Sequence, residues 1–519
     1  HGPATPPISV GIIGAGVSGI GLGAQLGRLG IEYRIYEKNT EVGGTWWDNR
    51  YPGCGVDTPN HAYSFSFGPR HQWSRYFSLR DEIQNYLTDS ADNFGVRPHV
   101  RFETEVIAAH WRDDTQDWAL TLRESSGRTY QDSAQVLVSA LGILNVPRWP
   151  HIPGLADFEG TMFHSARWPD DLDLTGLDVS VIGTGATSMQ LVPAIADQVK
   201  SVTVYQRSPQ WARPIDGYRD QIPEGSQWLL THLPFYVEWF RFTMLWRYGD
   251  GLLPFLRRDP EWPHPERAMN RINDRHRQEM ADYIVEQLGD RTDLLNVCIP
   301  DYPPYGKRIL LDNGWFATLR RDNVHLVTDP IRSIDATGVI TEDGRARSAD
   351  VIIIATGFET NQLTARLDIR GRDGAVLAEA WADDNPSAHL GITVPGFPNL
   401  FLMAGPNTGL GHGGSAMFQA ECQARYITAM LVEMSTRGLG SVEVRAEVHD
   451  RFVAEVDAEH AELIWTHPGM TNWYRNQHGR ITALMPFRLV DYWQMTHDPD
   501  LREYIAEPRY TEATTTSER

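Results

Sequence analysis

At 519 residues the chain is too long for one ordinary hydrophobic core, so two or three domains are expected. Its 41% hydrophobic and 22% charged content is globular, and 67 acidic against 47 basic residues leave a net charge of −20, which argues against nucleic acid or an anionic membrane as a partner. Three cysteines without a CxxC pair imply neither a disulfide framework nor a zinc site, and they fit a reducing compartment, the cytoplasm. The 18 histidines show no HxxxH or HxH spacing, so no metal is expected. His1 to Pro7 lack the basic start and apolar run of a signal peptide; because His1 is not a translational start, the segment reads as a processed or engineered end. No run of about 18 uncharged apolar residues occurs. The nearest, Phe235 to Leu256, is interrupted by Glu238, Arg241, Arg247 and Asp250, so no membrane partner is expected.

Taken in chain order, Ile8–Ile13 is a short β-type run that feeds Gly14–Ala15–Gly16–Val17–Ser18–Gly19. A helical pattern, Ile20–Leu29, is closed by Gly30, and a second strand, Tyr33–Tyr36, ends on Glu37. This is a βαβ dinucleotide fingerprint in its required context. Gly14 makes the tight turn, Gly16 admits a pyrophosphate, Gly19 lets helix and strand pack closely, and Glu37 would accept hydrogen bonds from a ribose. Next, Gly44–Thr45–Trp46–Trp47 and Tyr51–Pro52–Gly53–Cys54–Gly55–Val56–Asp57 combine glycines, which allow backbone contact with a flat ring, with aromatics that exclude water. Val100–Val106 reads as one alternating strand and Gln135–Ala140 as a buried one. Pro147, Pro150 and Pro153 stiffen a connector into Phe158–Pro169, which carries two aromatics, a glycine, a histidine and a Trp-Pro step.

A second βαβ unit opens at Val179–Ile182 and turns through Gly183–Thr184–Gly185–Ala186–Thr187–Ser188, with a serine in the third glycine's place. Its next strand, Ser201–Tyr205, ends on Gln206–Arg207–Ser208 instead of an acid. An acid would repel a 2′-phosphate, whereas Arg207 can clamp one, so NADPH is preferred over NADH. Residues 214–299 break the pattern: helix-like and aromatic from Gln227 through Trp246, then a polar helix, Arg267–Leu288. The aromatics of this insertion would pack a core, cap a substrate pocket, or both. The nucleotide fold resumes at Val351–Phe358, and Leu400–Asn407 leads through a glycine-rich loop into a helix, Met417–Glu433. Residues from about Glu507 read as disordered.

The pattern F-x-G-x3-H-x3-W-P, filled at every fixed position by Phe158–Pro169, resembles the fingerprint of the type I Baeyer–Villiger monooxygenases. Gly44, Trp46, Tyr51, Pro52, Gly53 and Asp57 resemble a second signature of that family, G-x-W-x4-[FY]-P-G-x3-D. The resemblance implies an α/β fold with two Rossmann-like dinucleotide-binding domains, for FAD and NADP, and a helical insertion in the NADP domain. The expected division is 1–145 with 390–519 for FAD, 146–213 with 300–389 for NADP, and 214–299 for the insertion. It further implies an enzyme that uses FAD, NADPH and dioxygen to insert one oxygen atom beside a ketone carbonyl, giving an ester or lactone.

The same resemblance implies the site. Gly14, Gly16, Ser18, Gly19, Glu37, Gly44, Thr45, Trp46, Trp47, Asp57, Tyr63 and Val106 would contact FAD, with Val106 near the adenine. Gly183, Thr184, Gly185, Ala186, Thr187, Ser188, Arg207, Ser208, Lys307 and Trp473 would hold NADP. In Tyr305–Gly306–Lys307–Arg308, Lys307 would meet the 2′-phosphate and Arg308 would stabilise an anionic flavin C4a-peroxide, with Asp57 orienting Arg308. After Trp473 the family's longer glycine-rich stretch is replaced by Arg475–Arg480, a departure at the NADP loop. His164 and Trp168 read as structural, at the seam where the two domains meet. An N- or S-oxygenating flavin monooxygenase is the alternative, but those relatives usually lack the Trp-Pro ending. The substrate pocket would draw on 214–299 and on loops near Gly405 and Trp473, and the aromatic content hints at a bulky apolar ketone.

Overall fold

The computed structural model of the chain describes residues 8–68, 71–360, 367–382 and 384–510. The readings made for residues 1–7 and 511–519 lie outside these. Two five-stranded parallel sheets carry the architecture. The first runs in the order Leu400–Leu402, Val136–Ser139, Ser9–Ile13, Glu32–Tyr36, Val100–Arg101. Ile12 stands between Ile35 and Val138 at its centre. The second runs Val324–Val327, Ser201–Tyr205, Asp178–Ile182, Val351–Ile354, Thr161–His164. Strands covered on both faces read as unbroken apolar runs, and all four residues of Val351–Ile354 are buried.

Helix Val17–Leu29 packs between the first sheet and the long helix Ala416–Arg437, which ends at Gly438 in the left-handed conformation, φ 64°. This helix begins one residue before and ends one turn beyond the Met417–Glu433 expected. The polar helix of the insertion starts at Arg271, later than expected. Asn270 caps it, its side chain accepting from the amides of Ile272 and Asn273.

Two expectations are corrected. Val100–Val106 is not one strand: Val100–Arg101 closes the first sheet, Glu103 turns the chain at φ 51°, and Thr104–Arg112 opens a separate antiparallel meander with Asp117–Glu124 and Thr129–Ala134. The amides of Glu37 and Thr104 bond to Arg101 and Glu37 across this turn, so the change of sheet leaves both paired. The fingerprint itself forms part of a sheet. Thr161–His164 is the edge strand of the second sheet, with Phe163 opposite Ile353 and His164 opposite Ile354. Order persists past Glu507, because Tyr504–Pro508 pairs antiparallel with Leu439–Val444 and Ser441 Oγ donates to the Glu507 carboxylate at 2.8 Å.

The aromatics of the insertion divide. Tyr236 and Phe240 pack inward, whereas Trp228, Phe235, Trp239, Phe242 and Trp246 are exposed and belong to no core. Among the described residues, no helix is long and apolar enough to cross a membrane.

Candidate active site

The two βαβ turns are built alike. Gly14 and Gly183 take φ of 103° and 113°, and a Cβ on either would meet a carbonyl of the neighbouring strand's end, Ala140 O at 2.8 Å or Ala355 O at 2.5 Å. The helices that follow, Val17–Leu29 and Ala186–Ile195, are preceded by Gly16 and Gly185. Neither has a side-chain cap or an acid in its first turn. Their free amides are thus left to an anion, with Ser18 and Thr187 beside them, and the space in front of Gly185 is open. These features fit two pyrophosphates.

What differs is the end of the next strand. Glu37 is buried; its carboxylate accepts from Ala15 N at 2.7 Å and from Asn39 N at 2.9 Å. Burial pushes its pKa up, and the two amides oppose that shift. In the second unit, Thr184 Oγ1 donates to Ser208 O at 3.2 Å and Lys307 Nζ donates to Ser208 Oγ at 2.9 Å. Burial and then the neighbouring Arg207 lower the Lys307 pKa, and the weaker pull of Asp301 opposes them without reversing the shift. Ser188 is fully buried and donates through Oγ to Gly183 O at 2.7 Å, so the residue in the third glycine's place ties its own turn together.

The loop between the units is locked from both sides. Trp46 is buried, and its Nε1 donates to Tyr63 Oη at 3.0 Å while Arg80 Nε donates to its carbonyl at 2.6 Å. The Arg50 guanidinium lies 4.3 Å from the Trp47 ring centre. Tyr51 Oη donates to Gln190 Oε1 at 2.9 Å, and Gln190 Nε2 donates to Gly55 O at 3.0 Å, so the second unit's helix grips the first unit's loop.

Next to that grip, Arg308 and Asp57 meet across 251 positions of sequence: Nε to Oδ2 and Nη2 to Oδ1, both 2.8 Å. This two-pronged geometry is the strongest form of such a pair. The side chains keep 39% and 30% exposure although Arg308 lies deep within the protein, so they line a hollow. Among the described residues, Arg308 Nη1 meets only Leu410 O, at 3.4 Å. The carboxylate raises the guanidinium pKa further. Burial pushes the phenols of Tyr63 and Tyr474 up to about 12, so both stay protonated near neutral pH. A separate cleft of about 520 Å³, lined by Val56, Gln190 and Tyr218 among others, opens beside the loop without including Asp57 or Arg308.

Two candidates stand apart from this cluster. Trp473 is 38% exposed, with its ring 4.4 Å from the buried Tyr474; Asn472 Nδ2 donates to Gly306 O at 3.1 Å and fastens that loop next to Lys307. Val106 buries its side chain in the core beneath the first sheet, which leaves only its backbone for a cofactor. His164 is buried. Its Nδ1 accepts from Ala166 N, which places the proton on Nε2 for Gly357 O at 3.0 Å, and burial lowers its pKa to about 4. Sequence reasoning missed Tyr474, Gln190 and Tyr218, because no motif position marks a residue whose importance is a cross-unit contact.

Two parallel dinucleotide folds, one ending on an acid and one on paired cations, with a guanidinium held between them, define a two-cofactor flavoprotein. Comparison with known proteins gives the class a family. A model of flavin-binding monooxygenase-like proteins matches residues 8–218. An uncharacterized monooxygenase, y4iD, of Sinorhizobium fredii is 39% identical over 96% of this chain and 75% of its own length. A Baeyer–Villiger monooxygenase of Streptomyces coelicolor is 34% identical over 96% of this chain and 92% of its own. The crystal structure of OTEMO with FAD and NADP superposes with a TM-score of 0.82 at 28% identity, covering 97% of this chain and all of the other. The chain belongs to the Baeyer–Villiger monooxygenase family of FAD- and NADPH-dependent enzymes.

Proposed function

We propose that this enzyme converts a ketone to an ester or lactone, with Arg308 as the fixed cation beside the reacting oxygen and Asp57 as the carboxylate that aims it. The observation that carries this is the double 2.8 Å contact between them, made by loop residues 251 positions apart next to the point where Gln190 of the second unit grips the first unit's loop. When bound, FAD reduced by NADPH activates dioxygen for attack on the carbonyl. Asp57 occupies the Nε–Nη2 edge of the guanidinium and leaves Nη1, which donates to Leu410 O at 3.4 Å, with a second hydrogen not used by the carboxylate. Arg308 stays charged at any working pH, so it favours negative charge on an oxygen placed there. Tyr63, whose oxygen already accepts from Trp46, keeps its own proton free to donate.

The same reading assigns residues 1–145 with 390–519 to FAD, 146–213 with 300–389 to NADP, and 214–299 to a helical insertion. The expected cofactor positions keep their roles, with Lys307 and Arg207 at the 2′-phosphate and Trp473 closing over NADP. Three free, buried cysteines support a reducing compartment, the cytoplasm.

The test is a ketone panel with Arg308→Ala. The variant is expected to keep NADPH-dependent flavin reduction and lose ester formation by about 10²–10³-fold, the cost of removing one preorganised donor to developing charge. Ester formed at the normal rate would refute the role of Arg308. Sulfoxide or N-oxide from soft substrates, with no ester from any ketone, would favour an N- or S-oxygenating enzyme instead.

A further inference from the structure

The insertion's helices Glu224–His232 and Tyr236–Arg247 form a hairpin whose inner face is fixed to the loop following Asp57. Phe240 packs edge-on against His61 with ring centres 5.2 Å apart, and Arg241 Nη1 donates to the carbonyls of His61 at 3.0 Å and Ser64 at 2.5 Å. The outer face is bare. Phe235, Trp239, Phe242 and Trp246 are 79, 64, 55 and 57% exposed, and Trp228 joins them from the first helix at 56%.

We propose that this face is the contact between two copies of the chain, each laying its Tyr236–Arg247 helix antiparallel on the other's about a two-fold axis near Phe242. Three observations select a second copy. The stripe recurs at steps of four, three and four residues, the seam spacing of a helix that packs on another helix. The area is also right. At 150–250 Å² per aromatic side chain, the five exposed fractions come to roughly 600 Å² per copy, so a pair buries roughly 1,200 Å², the lower bound for a specific stable interface. The roughly 600 Å² per copy is at the upper end of what a monomer exposes in one patch.

Charge agrees. Each copy carries −20, so copies repel unless they meet where charge is absent. The seam positions carry none, Glu238 and Arg247 lie on opposite flanks, and Arg241 is turned inward. A two-fold contact needs one self-complementary patch, and a stripe of rings that can interdigitate supplies it. With Glu238 exposed on one flank against Arg247 on the other, the face has no net positive charge with which to hold anionic lipid.

Sedimentation equilibrium on the full-length, FAD-loaded protein tests this. The wild type is expected to be dimeric at micromolar concentration. Trp239→Glu and Phe242→Glu should each raise the dimer dissociation constant by about thirtyfold or more, the factor for a central aromatic anchor, with flavin absorbance retained. Phe242→Cys should form a disulfide-linked dimer on mild oxidation, whereas Val285→Cys, exposed on helix Arg271–Leu288, should not; the three native cysteines are buried and add no background. A monomeric wild type, or a dimer indifferent to both glutamates, overturns the proposal. So does a wild type that co-sediments with phosphatidylcholine vesicles and loses this in Trp239→Glu, since lipid would then be the occupant.

Discussion

The two nucleotide turns solve one problem with different tolerances. In the first, a Cβ on Gly19 would lie 2.0 Å from Gly14 O, a distance no side chain can occupy. In the second, Ser188 sits at the corresponding place and uses its hydroxyl to bond Gly183 O. The third position of such a turn therefore requires closeness of helix to strand, and a hydroxyl that bonds the turn carbonyl can meet that requirement where the fit is slightly looser. The strand ends differ more sharply, an amide-saturated carboxylate at Glu37 against clustered cations at Arg207 and Lys307. On the proposed reading, the shared helix start serves either pyrophosphate, and the strand end distinguishes the dinucleotides.

Breaking the tight turn should have the largest effect. Gly19→Ala forces a backbone shift costing about 3 kcal/mol or more, and the purified protein is expected to be largely flavin-free with a lowered melting temperature. A yellow, normally stable variant would show that the first turn is as tolerant as the second. Removing the second unit's selectivity comes next: Arg207→Ala should weaken NADPH binding by about 2–3 kcal/mol, the worth of a charge-assisted contact. NADH binding should be nearly unchanged, and equal losses for both would remove the 2′-phosphate assignment.

A smaller effect depends on pH. The folded pKa of His164 is about 4 against an ordinary 6.5, so the unfolded chain binds the extra proton first. The contribution of the neutral ring is complete above 6.5 and is lost as pH falls toward 4. His164→Gln should therefore cost stability at neutral pH and flatten the acid side of a melting-temperature profile; an unchanged slope would mean the ring does not titrate on unfolding. Ser188→Ala, which orphans one hydrogen bond to Gly183 O, should cost only about 1 kcal/mol, measurable by urea unfolding. A loss as large as that of Gly19→Ala would erase the contrast between the turns.

Much of this was legible because the relevant signals are local. Both βαβ units, the strand Val351–Ile354 and the helix Val17–Leu29, ended by Gly30, follow from short-range pattern and glycine placement. The pairing of Asp57 with Arg308 came only through family resemblance, since nothing in a spacing of 251 residues encodes a contact. The Gln190 bridge to Tyr51 and Gly55, and the proximity of Tyr474 to Arg308, were invisible for the same reason. The turn at Glu103 was missed because a glutamate gives no hint of positive φ. The insertion's aromatics were misjudged because a helix stripe looks the same whether its partner is the same chain or another molecule.

The place of the fingerprint strand has a consequence for how the chain is made. Among the described residues, Thr161–His164 has one neighbour in its sheet, Val351–Ile354, which lies between it and Asp178–Ile182. As the polypeptide leaves the ribosome, the fingerprint must wait through nearly two hundred residues, including the whole insertion, before anything exists for it to pair with. Its apolar side chains and open backbone edge are exposed to other nascent chains throughout that interval. The segment by which the protein is most easily classified is thus among the last to be seated, and expression yield should respond to chaperone supply more than to the stability of the finished fold.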